Sequence, residues 1–106
     1  MHTINQLRIN DTAVVLIDHQ PFVAFPVRSI TAEELTNNVV GLAKVAKALE
    51  VPVVLTTIGA ANGPLNDPLF TELSAVFPEQ VPIDRTNTNA WSDHRVVDAV
   101  RATGRR

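Results

Sequence analysis

The sequence predicts an α/β fold, an open parallel sheet with flanking helices in three layers. Two observations carry this. The runs Ala13 to Asp18 and Val53 to Thr57 are apolar without alternation, the pattern of strands buried on both faces. Stretches of helical periodicity follow each of them, so the order along the chain is strand, helix, strand, helix, short strand, helix. Composition agrees: 45% hydrophobic and 19% charged residues is the balance of a folded chain. No linker, repeat or low-complexity stretch divides the 106 residues, so residues 1–106 are read as a single domain.

Each element has a local reason. The first strand, Ala13 to Asp18, ends in a carboxylate, and Pro21 and Pro26 then predict a long loop over His19 to Ile30. Thr31 and Glu34 have the spacing of a capping box, opening a helix to about Leu49. Its apolar face is Leu35, Val39, Leu42, Ala46 and Leu49, with Lys44 and Lys47 off that face near the C-terminal end. Val51-Pro52 breaks the helix before the second strand, Val53 to Thr57, and a loop covers Ile58 to Asp67. Asp67 as N-cap with Pro68 in the first turn predicts a short helix through Leu69, Phe70, Leu73, Val76 and Phe77, stopped by Pro78. Val81 to Arg85 is a short extended segment and Thr86 to Trp91 a polar loop. Ser92 caps a last helix, with Val96, Val97 and Val100 on one face and Gly104 at its C′ position. A crossover helix normally delivers the chain to another parallel strand. Here none follows Gly104, so the sheet is expected to be unfinished, with Ala13 to Asp18 left at an edge.

Several function classes are excluded. A net charge of −2 is no footprint for nucleic acid or an acidic membrane. The longest apolar run, Ala13 to Ile17, is far below the roughly 20 residues of a spanning helix, and the N-terminus has no signal-peptide pattern. A cytoplasmic location is expected. With no Cys, the sequence holds no disulfide, Cys-based zinc site or thiol nucleophile. The glycines form no phosphate-binding motif. His2, His19 and His94 are dispersed without ligand spacing and read as loop or surface residues, so no metal and no cofactor is expected.

Ligands of open α/β sheets bind beyond the carboxyl ends of the strands. Asp18 and Arg85 stand at such ends, and Asp18 is either a functional carboxylate or a cap on the loop it enters. Gln20 in place of a second acid weakens a phosphoacceptor or D-x-D phosphatase reading. Asn87, Asn89 and Trp91 form a polar loop with one aromatic: Trp91 either plugs the sheet end or meets a substrate.

Ala13-Val-Val-Leu-Ile-Asp-His-Gln20, Asn62-Gly-Pro-Leu65, Ile83-Asp-Arg85 with Asn89-Ala-Trp91, and Val97-Asp-Ala-Val-Arg-Ala-Thr-Gly104 together resemble the isochorismatase-like cysteine hydrolases, in particular their YcaC-like branch. The resemblance runs from about Asn10 to Arg106. It implies a Rossmann-like parallel sheet and hydrolysis of an amide, a related C–N bond or a vinyl ether in a small molecule by an Asp, a basic residue and a Cys. Asp18 matches the Asp, which takes the thiol proton. Arg85 matches the basic position, where Arg, unlike Lys, acts only as a fixed cation. The resemblance extends the site to Gln20, Phe22, Asn89 and Trp91 as substrate-binding residues. The metal cluster of some relatives has no counterpart, since Gly59-Ala-Ala-Asn-Gly63 contains no His.

The family's Cys follows a further strand of about 5–6 residues. The chain is therefore expected to be an N-terminal portion, truncated after the third helix and inactive as it stands. A small-molecule substrate would bind only once the missing region completes the site. A homo-oligomer is expected, with no nucleic-acid or membrane partner. The alternative is a non-catalytic α/β module acting through oligomerisation or partner binding.

Overall fold

The computed structural model describes residues 6–61 and 66–106. The Asn62 to Leu65 motif and His2 lie outside the described residues. Strand β1 is Val14–Ile17, β2 is Val53–Ile58 and β3 is Ile83–Arg85. They form a parallel sheet in the order β1-β2-β3, with Leu16 opposite Leu55 and Ile58 opposite Arg85. The helices are α1, Pro21–Ala24; α2, Ala32–Ala48; α3, Thr71–Val76; and α4, His94–Ala102.

Alternation along the strands divides the sheet into two faces. Leu16 and Leu55 point to one face and pack with Val39 and Ala43 of α2, Leu73 and Val76 of α3, and Leu69 and Phe70 from the preceding loop. On the other face α4 lies over β2 and buries Val96. Ile17, on β1, is 49% exposed. The Val14 and Asp18 amides donate across to Pro52 and Thr56 on the β2 side, so Val15 and Ile17 turn their backbone groups to the open edge. Among the described residues β1 is thus an edge strand, as the sequence leads one to expect.

Four local expectations are corrected. The stretch His19 to Ile30 is not all loop, because Pro21 sits at the first position of α1, where its missing N–H costs nothing. The buried stripe of α2 is Val39, Ala43 and Ala46, while Leu42 and Leu49 are half exposed. The small alanines let the helix backbone approach the core closely. Helix α3 starts at Thr71 rather than behind Asp67, since Asp67 is used elsewhere: its carboxylate accepts from the Phe22 amide at 3.0 Å and caps α1. Ser92 belongs to a 3-10 turn, Ala90–Ser92, and Asp93 caps α4 by accepting from the Arg95 amide at 2.9 Å.

Other expectations stand. Thr31 caps α2 by accepting from the Glu34 amide at 3.1 Å, although Glu34 accepts from the Thr31 hydroxyl instead of reaching back to its amide. Gly104 has φ +67°, the left-handed turn that ends α4. The Arg106 amide then donates to the Asp11 carbonyl at 3.0 Å, bringing the end of the chain to the entry of β1. The segment expected over Val81 to Arg85 is shorter in the fold: β3 begins at Ile83, and Val81 lies outside it and is largely exposed.

Candidate active site

Asp18 and Arg85 leave the sheet at the same edge but from strands that are not neighbours. With β2 between them, their backbones stand about two strand spacings, roughly 10 Å, apart. The side chains close the gap. Arg85 Nη1 donates to Asp18 Oδ1 at 2.5 Å and Nη2 to Oδ2 at 2.7 Å, a bidentate ion pair. Arg85 is buried, with 2% of its side chain exposed against 12% for Asp18. Its Nη1 also donates to the Thr57 carbonyl at 3.2 Å, and Nη2 to the Thr88 carbonyl at 3.1 Å, which ties the loop after β3 to the pair. Hydrogen bonding to Asp18 raises the guanidinium above its ordinary range, outweighing the opposing effect of burial, so Arg85 is a permanent cation.

Asp18 has φ +60°, the left-handed region that Asp tolerates better than most residues but still at a cost. This conformation ends β1 and turns the carboxylate back over the sheet edge. Next to it, His19 is half-buried, its ring edge-on to Phe70 with centroids 6.2 Å apart. Its buried Nδ1 has no partner among the described residues. Burial lowers the pKa of His19, and the nearby Asp18 charge only partly offsets this.

The remaining predicted residues divide. Gln20 is fully buried, and its side-chain amide behaves as an extra peptide unit of the sheet. Its Oε1 accepts from the Ile58 amide at 2.8 Å, and its Nε2 donates to the Ile58 carbonyl at 3.0 Å and the Asp67 carbonyl at 2.5 Å. Every hydrogen of the amide is used on backbone, locking the exit of β1 to that of β2. Phe22, 54% exposed, follows at the start of α1. Asn89 is exposed and its side-chain oxygen accepts from the Trp91 amide at 3.1 Å, while the Trp91 ring is 57% exposed and does not plug the sheet end. An open polar hollow of about 260 Å³ adjoins Arg85, walled by Thr86, Asn87, Ser92 and Asp93 to Arg95.

Three further polar residues belong to this edge although the sequence does not mark them as site residues. Thr56, fully buried on β2, donates to Asp18 Oδ1 at 3.0 Å. Asp84, between Ile83 and Arg85 on β3, accepts from the Thr57 hydroxyl at 2.8 Å and from the Ala60 and Ala61 amides at 2.8 and 3.0 Å. Desolvation pushes its carboxyl up, but those hydrogen bonds and the Arg95 charge win, and its pKa is lowered. Asp67 is the third. Thr56 and Thr57 carried the available signal: two hydroxyls at the carboxyl end of an otherwise apolar strand. Among the described residues, no group of three or more His, Asp or Glu side chains gathers as a metal site, and no helix is long and apolar enough to cross a membrane.

With this geometry established, the resemblances to known proteins are specific. Residues 12–106 match the isochorismatase domain. The probable hydrolase YcaC of Escherichia coli is 44% identical over 98 residues, which are 92% of this chain and 46% of that protein. The crystal structure of the E. coli YcaC gene product, described as an octameric hydrolase of unknown specificity, superposes with a TM-score of 0.88 at 40% identity, over 99% of this chain and 51% of its own. YcaC from Pseudomonas aeruginosa, solved with hexane-2,5-diol and covalent acrylamide, matches with a TM-score of 0.86 at 38% identity, over 99% of this chain and 52% of its own. The chain therefore spans about half the length of these relatives. Its parallel sheet, its flanking helices and the match over nearly all of its residues make it a member of the isochorismatase family of hydrolases, similar to YcaC.

Proposed function

We propose that this chain carries the acid and the cation of an isochorismatase-like cysteine hydrolase site, acting on an amide or related C–N bond of a small molecule. The bidentate contact of Asp18 with Arg85 at the carboxyl edge of the sheet is the observation that supports it. In this scheme Asp18 takes the proton of a cysteine thiol and the thiolate adds to the substrate's carbonyl carbon. The carbonyl electrons move onto oxygen; as they return, the C–N bond breaks and the amine leaves with the proton that Asp18 took, and water later cleaves the thioester to a carboxylic acid and the free thiol. Arg85 cannot exchange a proton at working pH, so its part is to hold Asp18 and offset the charge that develops beside it. Phe22, Asn89 and Trp91 are proposed substrate contacts. For Gln20 we favour a structural part, because its amide is fully used on backbone.

The sequence contains no Cys, so the 106 residues alone are proposed to be inactive by this route. The expected result with the purified chain is no turnover of an amide panel above a buffer blank and no acyl adduct by mass spectrometry. Either signal overturns the inactivity. In a protein that joins these residues to a Cys-bearing second half, Asp18→Asn is expected to abolish turnover, and retained turnover removes Asp18 from the mechanism.

A second reading is a non-catalytic α/β module that works through self-association. The absence of a thiol fits both readings, the open edge of β1 favours self-association, and the octameric assembly of the E. coli relative supports a homo-oligomer under either. Sedimentation of the purified chain tests the oligomer, and a monomer at all concentrations refutes it. The coding sequence beyond Arg106 separates the two readings: a further strand and a Cys-bearing turn support the hydrolase, a stop codon the module.

A further inference from the structure

We propose that Thr56 is the positioning residue of the Asp18–Arg85 pair, its buried hydroxyl tying both charged side chains to the middle strand. The proposal rests on the reading of that pair as the charged part of the site. Asp18 and Arg85 stand on the strands either side of β2 and meet above it. The side chain lying between them is that of Thr56, which is 0% exposed. Its Oγ1 donates to Asp18 Oδ1 at 3.0 Å and accepts from Arg85 Nη1 at 3.3 Å.

Three physical points give this hydroxyl a purpose. A strand that reads Val53-Val-Leu55 before it could continue with Val at the same volume and higher apolar burial. A buried hydroxyl is unfavourable unless it is paired, and here both its hydrogen and an oxygen lone pair face charged groups. The bidentate contact sets Asp18 and Arg85 relative to each other, but the carboxylate's last torsion is soft, so the pair retains freedom to swing over the sheet edge. The hydrogen bond from the Thr56 hydroxyl, a side chain of the central strand β2, restrains that torsion. Finally, Asp18 holds φ +60°, a conformation that persists where surrounding contacts over-determine it, and Thr56 supplies two of them: the hydroxyl, and its carbonyl, which accepts from the Asp18 amide at 3.1 Å. Thr57, one residue on, faces the opposite side and serves Asp84 instead. The two adjacent threonines thus divide the two carboxylates of the edge between them.

The test compares the chain with Thr56→Val and Thr56→Ser by NMR, following hydrogen exchange of the Arg85 Nη protons, with the Leu55 amide as internal reference for overall stability. In the unmodified chain the Arg85 protons are expected to be protected. Thr56→Val is expected to speed their exchange at least about tenfold relative to Leu55, the loss of one hydrogen bond to a charged group, and Thr56→Ser to restore protection. Equal protection in Thr56→Val, or a change shared equally by Leu55, overturns the positioning role while leaving the pair itself intact. Unprotected Arg85 protons in the unmodified chain would instead refute the pair, and the proposed site with it. Should Thr56→Val not fold, the Thr56 hydroxyl proton of the unmodified chain decides: slow exchange supports the proposal and free exchange with water overturns it.

Discussion

The Arg85 guanidinium holds the Asp18 carboxylate by two parallel hydrogen bonds of 2.5 and 2.7 Å, reaching across the whole width of the intervening strand. A pair this deep is a geometric device more than a source of stability, because withdrawing both charges from water consumes most of their attraction. Removing one partner is a different matter, for it strands the other.

Asp18→Asn is the cleanest such removal. Asn tolerates the left-handed backbone nearly as well as Asp, so the change acts on charge rather than on φ. It leaves the buried Arg85 cation without its counter-ion, and the expected loss is about 3 kcal/mol. Urea melting of the two proteins measures it. A loss within experimental error would mean that water reaches Arg85 and the pair is solvated.

Gln20 separates a structural residue from a substrate contact by stability alone. Gln20→Leu keeps the volume but leaves the Ile58 amide and carbonyl and the Asp67 carbonyl without their partner. Each buried group left unpaired costs about 1–3 kcal/mol, so a destabilisation of roughly 3 kcal/mol or more is expected in urea melts. A residue whose side chain only met a substrate would change stability little.

Asp84 predicts an acid-sensitive loop. Its folded pKa lies below the ordinary value of 3.8, so its contribution is present above that value and is lost as pH falls through the folded pKa. Asp84→Asn is expected to flatten the stability-against-pH curve below about pH 4. Amide exchange at Ala60 and Ala61, which donate to Asp84, is expected to rise in the same variant. Unchanged exchange at both would mean the loop after β2 is held by other contacts.

His19 has the opposite charge type and a higher window. Burial favours its neutral ring, so its folded pKa lies below 6.5, and at pH values between the two the unfolded chain binds the extra proton. Stability is therefore present above pH 6.5 and declines as pH falls from there toward the folded pKa. Titration of the His19 ring by NMR checks the sign: a midpoint below 6.5 is expected, and one above it would show that Asp18 outweighs burial.

What was legible in the sequence was legible for local reasons. The β1 and β2 segments announce themselves by unbroken apolar runs, α2 by its capping threonine, and the end of α4 by Gly104. Asp18 and Arg85 could be placed at one edge because every strand of a parallel sheet ends on the same side. Local rules misplaced what distant partners claim. Asp67 has the sequence context of a cap for the helix that follows it, yet caps the one that precedes it, 45 residues away in the chain. Gln20 falls in a stretch that its prolines mark as loop, yet its amide hydrogen-bonds the end of β2 and extends the sheet.

The sequence by itself determined the order and kind of the elements, the edge at which the charged residues gather, and the lack of a thiol among these 106 residues. Those follow from periodicity, from capping chemistry and from composition, which depend on neighbours a few residues apart. Only the tertiary structure decided that Thr56 lies between Asp18 and Arg85, that Asp84 serves the loop after β2, and that the Gln20 amide joins the exits of β1 and β2. The reason is that hydrogen bonds of buried polar groups are satisfied by whichever partner the fold brings within about 3 Å, and sequence distance has no say in that choice.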